Sequence, residues 1–279
     1  MKELTVVWFQ GAGCTGCSVS LMNTQNPRIK ELLLDEVVPG KKIALKFHPT
    51  LMAGQGKMAI KILEHVGEVE KNKYVLVVEG AIPTAGKGVY GRIGEETILS
   101  KFLELAKDAN LIIAIGTCAT YGGIPSGKPN PTGAKGCKEI LEERGIEKTV
   151  INIPGCPPHP DWFVGTVLEL LSGRLPELDE EGRPKLFYGK LIHENCPRRA
   201  DFDKGKFATR FGEEGCLYEL GCKGPTANAD CPLRGWNNGI SWCIQVGSPC
   251  IACQEPEFPD EVSPLYKKIR WEEENEDSD

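Results

Sequence analysis

The stretch TVVWFQGAGCTGCS, residues 5–18, sets an apolar, β-branched run directly against a loop of glycine and cysteine. Such a run predicts a buried strand, and the glycines allow the backbone to approach a ligand closely. The same order returns where other apolar runs are followed by EGAIPT, GTCATYGG and PGCPPHPDW. We therefore expect a parallel sheet whose strands all end at one ligand-binding edge.

Strand-like and helix-like segments alternate along the first half of the chain. The predicted strands cover Thr5–Phe9, Ile43–Phe47, Tyr74–Val78, Leu111–Ile115 and Val150–Ile153. The predicted helices lie near 27–37, 56–69, 95–108, 133–144 and 160–172. In the third helix, Ile98, Phe102 and Leu105 form an apolar stripe at helical spacing. The alternation predicts an α/β fold built on a doubly wound parallel sheet.

The chain changes character after residue 172. The segment 171–189 is rich in glycine, proline and charge, which is typical of a connection between domains. Regular periodicity fades beyond it. We predict a first domain at 1–172, an irregular cysteine-rich domain at 173–265 and an acidic tail at 266–279, since the last nine residues carry six acidic side chains.

The overall composition excludes two classes of partner. The formal net charge is −6 and the pI is about 5.5, so the basic footprint of a nucleic-acid-binding protein is missing. The apolar runs are far shorter than the roughly 20 residues of a membrane helix, so we expect no membrane span. We find no signal peptide at the N-terminus and on that ground predict a cytoplasmic location.

Twelve cysteines are the unusual feature, and seven of them follow residue 195. In a reducing compartment, clustered cysteines indicate metal rather than disulfides. Only Cys14/Cys17 and Cys250/Cys253 have the C-x2-C spacing of a zinc knuckle, and the two pairs lie far apart, which favours iron–sulfur clusters over zinc. A dinucleotide at the GAGCTG loop is a weaker alternative, because the third glycine of the fingerprint is missing. FMN at this edge is weaker because four thiols suit a phosphate poorly.

The strand order predicts which cysteines meet. Cys14, Cys17, Cys118 and Cys156 each follow a strand, so we expect them to converge at the carboxyl edge of the sheet. Eleven cysteines and His193 make twelve ligands, enough for three sets of four. The remaining Cys137 is predicted to be a buried structural thiol at a helix start, and His159 is predicted to have a structural role.

The motifs, taken in chain order, resemble those of the small subunit of a nickel–iron hydrogenase. They are GCTGCS, VVEGAIPT, GTCATYGGIP, NIPGCPPHPDW, HENCPRR, GCKGP, ADCPLRGWN and CIACQEPEFPD. The resemblance covers nearly the whole chain and implies a flavodoxin-like domain followed by an irregular iron–sulfur cluster-binding domain. It also implies that H2 is split in a large subunit, the obligate partner, and that this chain carries the electrons away.

The resemblance further implies which residues hold the clusters. A proximal 4Fe–4S cluster is expected on Cys14, Cys17, Cys118 and Cys156. A distal 4Fe–4S cluster is expected on His193, Cys196, Cys216 and Cys222. The medial cluster maps to Cys231, Cys250 and Cys253.

Cys243 and Glu79 carry two further expectations. Many relatives have a proline near the position of Cys243 and a 3Fe–4S medial cluster. Here we expect Cys243 to be the fourth ligand of a medial 4Fe–4S cluster, as in selenium-containing members. Glu79 is expected either to tune the proximal cluster or serve a proton route, or to cap nearby backbone amides.

Several expectations about function and assembly depend on the resemblance. An electron carrier or a further redox subunit is expected near the distal cluster, and two heterodimers could pair. The alternatives are a regulatory, H2-sensing hydrogenase and an electron-transfer module for another catalytic subunit. Oxygen-tolerant relatives carry extra cysteines where this chain has Gly16 and Gly123, so a conventional four-cysteine proximal cluster is expected.

Overall fold

The computed structural model describes residues 3–269. Within this range, the residues up to Pro184 form one compact unit, and those from Lys185 to 269 form a second. From residue 270 onward, the predicted acidic tail lies outside the described residues.

A five-stranded parallel sheet forms the centre of the first unit. Its strands are β1 (Glu3–Gln10), β2 (Lys42–Phe47), β3 (Tyr74–Glu79), β4 (Leu111–Ile115) and β5 (Val150–Ile153). The order across the sheet is β2-β1-β3-β4-β5, and each neighbouring pair is parallel. This is the flavodoxin-like order. It confirms the predicted fold class and all five predicted strands.

The central strands are apolar on both faces, because helices cover the sheet on both sides. Every residue of β3 and β4 is buried, as expected for parallel strands. On one face, Leu63, Phe102 and Ile140 belong to the same buried cluster as alternate residues of β3. On the other face, the ring of Trp8 lies 5.3 Å from that of Phe163.

Seven helices of five or more residues are described in the first unit. They are α1 (Gly16–Leu21), α2 (Ile29–Leu34), α3 (Gly56–Val69), α4 (Ile98–Asp108), α5 (Thr117–Tyr121), α6 (Cys137–Glu143) and α7 (Pro160–Leu171). Short helical turns occur at Ala85–Gly88 and Gly123–Ser126. Two antiparallel pairs join Ile82–Pro83 to Ala134–Lys135 and Arg92–Ile93 to Glu96–Thr97.

The five predicted helices are present, but some begin later than predicted. The helix expected at 95–108 begins at Ile98, because Thr97 Oγ1 accepts a hydrogen bond from the Ser100 amide and caps it. Glu96, inside the predicted range, pairs with Ile93 in the small hairpin. The helix expected at 133–144 begins at Cys137. Helices α1 and α5 were not predicted.

The second unit contains only short helical segments among the described residues. They are α8 (Lys185–Tyr188), α9 (Arg199–Asp203) and α10 (Cys231–Arg234), with 3-10 turns at Ile192–Asn195, Tyr218–Leu220 and Gly224–Thr226. The rings of Phe207 and Tyr218 lie 5.8 and 5.4 Å from that of Phe202. Buried apolar side chains such as Phe187, Leu217 and Trp242 are present, but no sheet or long helix joins the described segments of this unit, so another source of order is needed.

We predict that Phe102→Ala destabilises the first unit by roughly 3–5 kcal/mol, the usual cost of removing a buried phenyl ring. Phe102 is fully buried between α4 and the sheet. Hydrogen exchange of the β4 amides in the purified protein measures the loss. Met58→Ala on α3 is the control, because Met58 is 68% exposed and its loss should leave β4 exchange unchanged. Equal exchange in the two variants would contradict this description of the core.

Candidate metal centres

The loop after β1 is fastened to the loop after β3 by backbone hydrogen bonds. The Gly11 amide donates to the Glu79 carbonyl at 2.7 Å, and Ala12 and Ala81 exchange amide–carbonyl bonds of 2.7 and 2.8 Å. A side chain at Gly11 would place its Cβ 2.4 Å from the Ala81 oxygen. Glycine is therefore required here for close backbone approach.

A buried carboxylate holds the first cysteine loop in place. Glu79 is 2% exposed and accepts hydrogen bonds from the amides of Cys17 and Ser18, each at 3.1 Å. Its other oxygen accepts from the Trp8 indole at 2.9 Å and from the Ser18 hydroxyl. The capping role considered for Glu79 is thus present in the structure. Its role in tuning a cluster or moving protons stays a prediction.

The loops after β1, β4 and β5 bring four thiols together. Burial is the largest cause that raises the pKa of Cys17, and the charge of Glu79 is the next. The thiols of Cys118, Cys14 and Cys156 raise it further, so all three lie within electrostatic reach of Cys17. The pKa of Cys118 is raised to about 11 by burial and by Cys156. This coupling agrees with the expected convergence at the carboxyl edge of four thiols, those of Cys14, Cys17, Cys118 and Cys156.

Close backbone approach shapes this first group. A Cβ on Gly116 would lie 2.4 Å from Cys17 Sγ, so the loop after β4 leaves room for that sulfur only because residue 116 is glycine. The Thr117 amide donates to the Gly155 carbonyl at 3.0 Å, and the Gly155 amide donates to Thr117 Oγ1 at 2.9 Å. These bonds join the loop of Cys118 to that of Cys156.

A second group lines a small cavity in the second unit. The lining of the cavity includes His193, Cys196, Cys216 and Cys222. Nε2 of His193 is buried and has no hydrogen-bond partner among the described residues. The Phe202 ring, 4.4 Å away and edge-on, packs against the imidazole. Burial lowers the pKa of His193, so the ring is neutral and able to act as a ligand.

A third group of thiols includes Cys250 and Cys253, the last two cysteines of the described residues. Burial raises the pKa of Cys231, and the charges of Cys253, Asp230 and Cys243 raise it further. Burial likewise raises the pKa of Cys250, and Cys222, Cys253 and Cys231 add to the effect.

Cys243 lies near both groups of the second unit. It acts on the thiol of Cys231 and also on that of Cys222, and its own side chain is exposed. The Cys250 amide donates to Cys222 Sγ at 3.3 Å, and the Lys223 amide donates to the Cys250 carbonyl at 2.8 Å. A direct hydrogen bond therefore links the second group to the third.

The donor sets fit iron–sulfur clusters. Thiols that raise one another's pKa form an unfavourable arrangement as thiolates unless a positive centre lies between them. An unpartnered, neutral imidazole nitrogen beside three such thiols matches a mixed His/Cys ligand set. Over residues 3–269, no group of three or more His, Cys, Asp or Glu is suited to a single metal ion. A cluster differs, because each of its ligands binds a separate iron.

Cys137 and His159 have the structural roles predicted for them. Cys137 is fully buried at the start of α6. His159 caps α7, where its Nδ1 accepts a hydrogen bond from the Asp161 amide at 3.1 Å.

Family models match both halves of the chain. The model described as NADH ubiquinone oxidoreductase, 20 Kd subunit, matches residues 14–170. The model for the C-terminal part of the NiFe/NiFeSe hydrogenase small subunit matches residues 188–266. The second match distinguishes the chain from a protein that has only the first half.

Known proteins match over nearly the full chain. The periplasmic NiFeSe hydrogenase small subunit of Desulfomicrobium baculatum is 48% identical over 95% of this chain and 87% of that protein. The periplasmic NiFe hydrogenase small subunit 1 of Nitratidesulfovibrio vulgaris is 44% identical over 95% of this chain and 83% of that protein. A solved NiFeSe hydrogenase structure from Dm. baculatum has a TM-score of 0.91 at 46% identity, covering 96% of this chain and 100% of that chain.

The flavodoxin-like unit and the cysteine groups define an iron–sulfur electron-transfer protein. More particularly, the chain belongs to the family of NiFe and NiFeSe hydrogenase small subunits. It is the electron-transfer subunit of an oxidoreductase that acts on H2, it carries iron–sulfur clusters, and it pairs with a NiFe large subunit in a heterodimer. The regulatory, H2-sensing alternative is not supported by these relatives.

The comparisons correct the predicted location. Both relatives named above are periplasmic proteins by name, so the cytoplasmic prediction is wrong. It was inferred from the lack of a visible signal peptide, and such an absence says nothing about where a mature protein works. No helix within the described residues is long and apolar enough to cross a membrane.

Sequence reasoning missed several residues that shape the metal centres. Gly116 makes room for Cys17, and its only signal was its place one residue after a strand. Arg198 lines the cavity of the second group, and its guanidinium donates to the Gly215 carbonyl at 2.6 Å. The motif HENCPRR contained Arg198, but only the fold shows that its guanidinium fastens the loop before Cys216.

We predict that Gly116→Ala removes the iron and acid-labile sulfide of one cluster from the purified heterodimer, because the new Cβ would displace Cys17 Sγ. Gly145→Ala is the matched control. Gly145 also has a positive φ, of 62°, but a Cβ there meets nothing within 4 Å. Full iron and sulfide content in Gly116→Ala would contradict the close approach described for the first group.

Proposed function

We propose that this subunit relays electrons through three 4Fe–4S clusters between the large subunit and an external redox partner. The observation that carries the proposal is the cavity lined by His193 and three cysteines, with a buried imidazole nitrogen that lacks a partner among the described residues. The mutual electrostatic effects among the other thiols support two further sites.

The proposed ligand sets follow the three groups. The proximal set is Cys14, Cys17, Cys118 and Cys156. The distal set is His193, Cys196, Cys216 and Cys222. The medial set is Cys231, Cys243, Cys250 and Cys253.

When bound, the clusters supply sites that accept and release one electron at a time. The residues of the chain fix where those sites lie. Glu79 fastens the amides of Cys17 and Ser18 and so holds the loop of the proximal set against the sheet. The Cys250 amide, donating to Cys222 Sγ, offers the shortest described link between the medial and distal sets.

In this proposal, the proximal set lies beneath the large subunit. Cys14 and Cys156 are exposed in the chain alone, and apolar Val19 and Met22, on and next to α1, are 60% and 50% exposed. An exposed apolar surface next to exposed ligands is expected where an obligate partner binds.

The distal set has exposed neighbours of a different kind. Arg210 and Phe211 are both exposed, and they lie on the segment that leads to Cys216. We place an electron carrier or further redox subunit near this set, and pairing of two heterodimers remains part of the proposal. The periplasmic names of the relatives support a site of action outside the cytoplasm.

The alternative of an electron-transfer module for another catalytic subunit is not supported, because the relatives that match nearly the whole chain are hydrogenase small subunits.

The medial cluster is proposed to be 4Fe–4S because Cys243 supplies a fourth thiolate. Three thiolates leave one corner of a cube without a ligand, and a thiolate there retains the fourth iron. Cys243 lies within electrostatic reach of Cys231, which supports its membership of the medial set. The match to a NiFeSe relative agrees with the expected likeness to the selenium-containing branch.

We predict that the oxidised, anaerobically prepared heterodimer shows no stoichiometric 3Fe–4S signal in electron paramagnetic resonance, because a 4Fe–4S cluster in its 2+ state is silent. Cys243→Pro should create that signal, since the fourth iron loses its ligand. Cys137→Ser is the control, because Cys137 belongs to none of the proposed sets. A near-stoichiometric 3Fe–4S signal in the unaltered enzyme would show that Cys243 is not a ligand.

We also predict a single one-electron step at the proximal cluster in a redox titration of the heterodimer. Gly16 and Gly123 supply no additional thiols to that cluster. Two one-electron steps at the proximal cluster, together with sustained H2 oxidation in air, would contradict a four-cysteine site.

A further inference from the structure

A tryptophan side chain contacts one of the proposed medial ligands. A hydrogen bond from the Trp236 side chain, whose one donor is the indole N–H, lowers the pKa of Cys231 and so opposes part of the effect of burial. Trp236 is held by a tight turn, in which its amide donates to the Ser241 carbonyl at 2.6 Å and its carbonyl accepts from the Ser241 amide at 3.3 Å. The intervening Asn237 and Asn238 have φ values of 54° and 63°, so the chain reverses within a few residues.

A glutamine side chain contacts another proposed medial ligand. Gln254 is 1% exposed, and its Oε1 lies 3.6 Å from Cys253 Sγ, where it accepts from the thiol. Its Nε2 is buried with no hydrogen-bond partner among the described residues. Leaving an amide donor buried and unpaired costs free energy, so an acceptor for it is expected once the metal is bound.

Ligation of Cys253 reverses the direction of this hydrogen bond. A thiolate bound to iron has no proton to donate and can only accept. A half-turn of the Gln254 amide then brings the Nε2 donors to the sulfur. One rotation thus provides a partner for the unpaired donor and removes the contact between two acceptors.

We propose that Trp236 and Gln254 donate hydrogen bonds to the thiolates of the medial cluster and raise its reduction potential. The inference rests on the proposed medial set. Reduction adds negative charge to the cluster and its sulfurs, and a donor directed at a sulfur stabilises that charge. Both residues act through the ligands, so they are positioning residues for electron transfer.

Negative charges around the medial set lower the reduction potential of its cluster, and the two donors oppose that effect. A fourth thiolate from Cys243 adds negative charge and lowers the potential relative to a cluster with three. Asp230, next to Cys231, acts in the same direction on that thiol, although Arg234 donates to the Asp230 carboxylate at 2.9 Å and offsets part of its charge. Two neutral hydrogen-bond donors raise the reduction potential of the medial cluster without placing a cation in the protein interior.

The test is a redox titration of the medial cluster in the purified heterodimer, followed by electron paramagnetic resonance. Gln254→Leu and Trp236→Phe should each shift the reduction equilibrium toward the oxidised cluster by about threefold to tenfold, where tenfold corresponds to 59 mV for one electron. Gln254→Glu should shift it further in the same direction, because it replaces the donor with a charge.

Two matched controls separate hydrogen bonding from packing. Gln55→Leu makes the same substitution at an exposed glutamine far from the medial set in sequence, and Trp162→Phe alters a buried tryptophan of the first unit. Neither should shift the medial potential. Electron–nuclear double resonance in heavy water should also show fewer exchangeable protons at the medial cluster in Gln254→Leu and Trp236→Phe.

The outcomes distinguish the inference from the proposed function. A medial cluster with full iron content and an unchanged potential in both Gln254→Leu and Trp236→Phe would overturn the inference alone. Equal shifts in the controls would also overturn it, because the effect would then be one of packing. Absence of a medial cluster from the unaltered heterodimer would overturn the proposed function instead. If one variant loses its cluster, the other still decides the question.

Discussion

The carboxylate of Glu79 is the interaction on which the carboxyl edge of the sheet depends. It ends β3, is buried, and accepts hydrogen bonds from Trp8, from the amides of Cys17 and Ser18 and from the Ser18 hydroxyl. A buried carboxylate is tolerated only when it is well satisfied. Here the donors that satisfy it belong to the first turn of α1 and to β1, so the same contacts that stabilise Glu79 also set the position of Cys17.

The second unit is stabilised in a different way from the first. Its described residues form short helical turns and isolated bridges rather than a sheet. Burial raises the pKa of its cysteines, and neighbouring thiols raise it further. Without a bound cation this arrangement costs free energy. Metal–ligand bonds convert that cost into a source of stability, as in other small metal-binding domains.

The sheet and the cysteine positions could be predicted from the sequence, because both follow from local patterns. The apolar runs of β3 and β4 could only be buried strands, and parallel strands bring the residues that follow them to one edge. Helix starts were harder, since the cap at Thr97 depends on a hairpin that no periodicity announces. The contact between Gln254 and Cys253 was beyond prediction, because it depends on a side-chain orientation that no sequence pattern carries.

The central claim is that three sets of four residues each hold a 4Fe–4S cluster. Anomalous diffraction at the iron absorption edge, from anaerobically grown crystals of the heterodimer, tests it most directly. We expect three four-iron groups in this subunit, with His193 bonded to one and Cys243 to another. A three-iron group beside Cys231, Cys250 and Cys253, with Cys243 unbound, would contradict the claim.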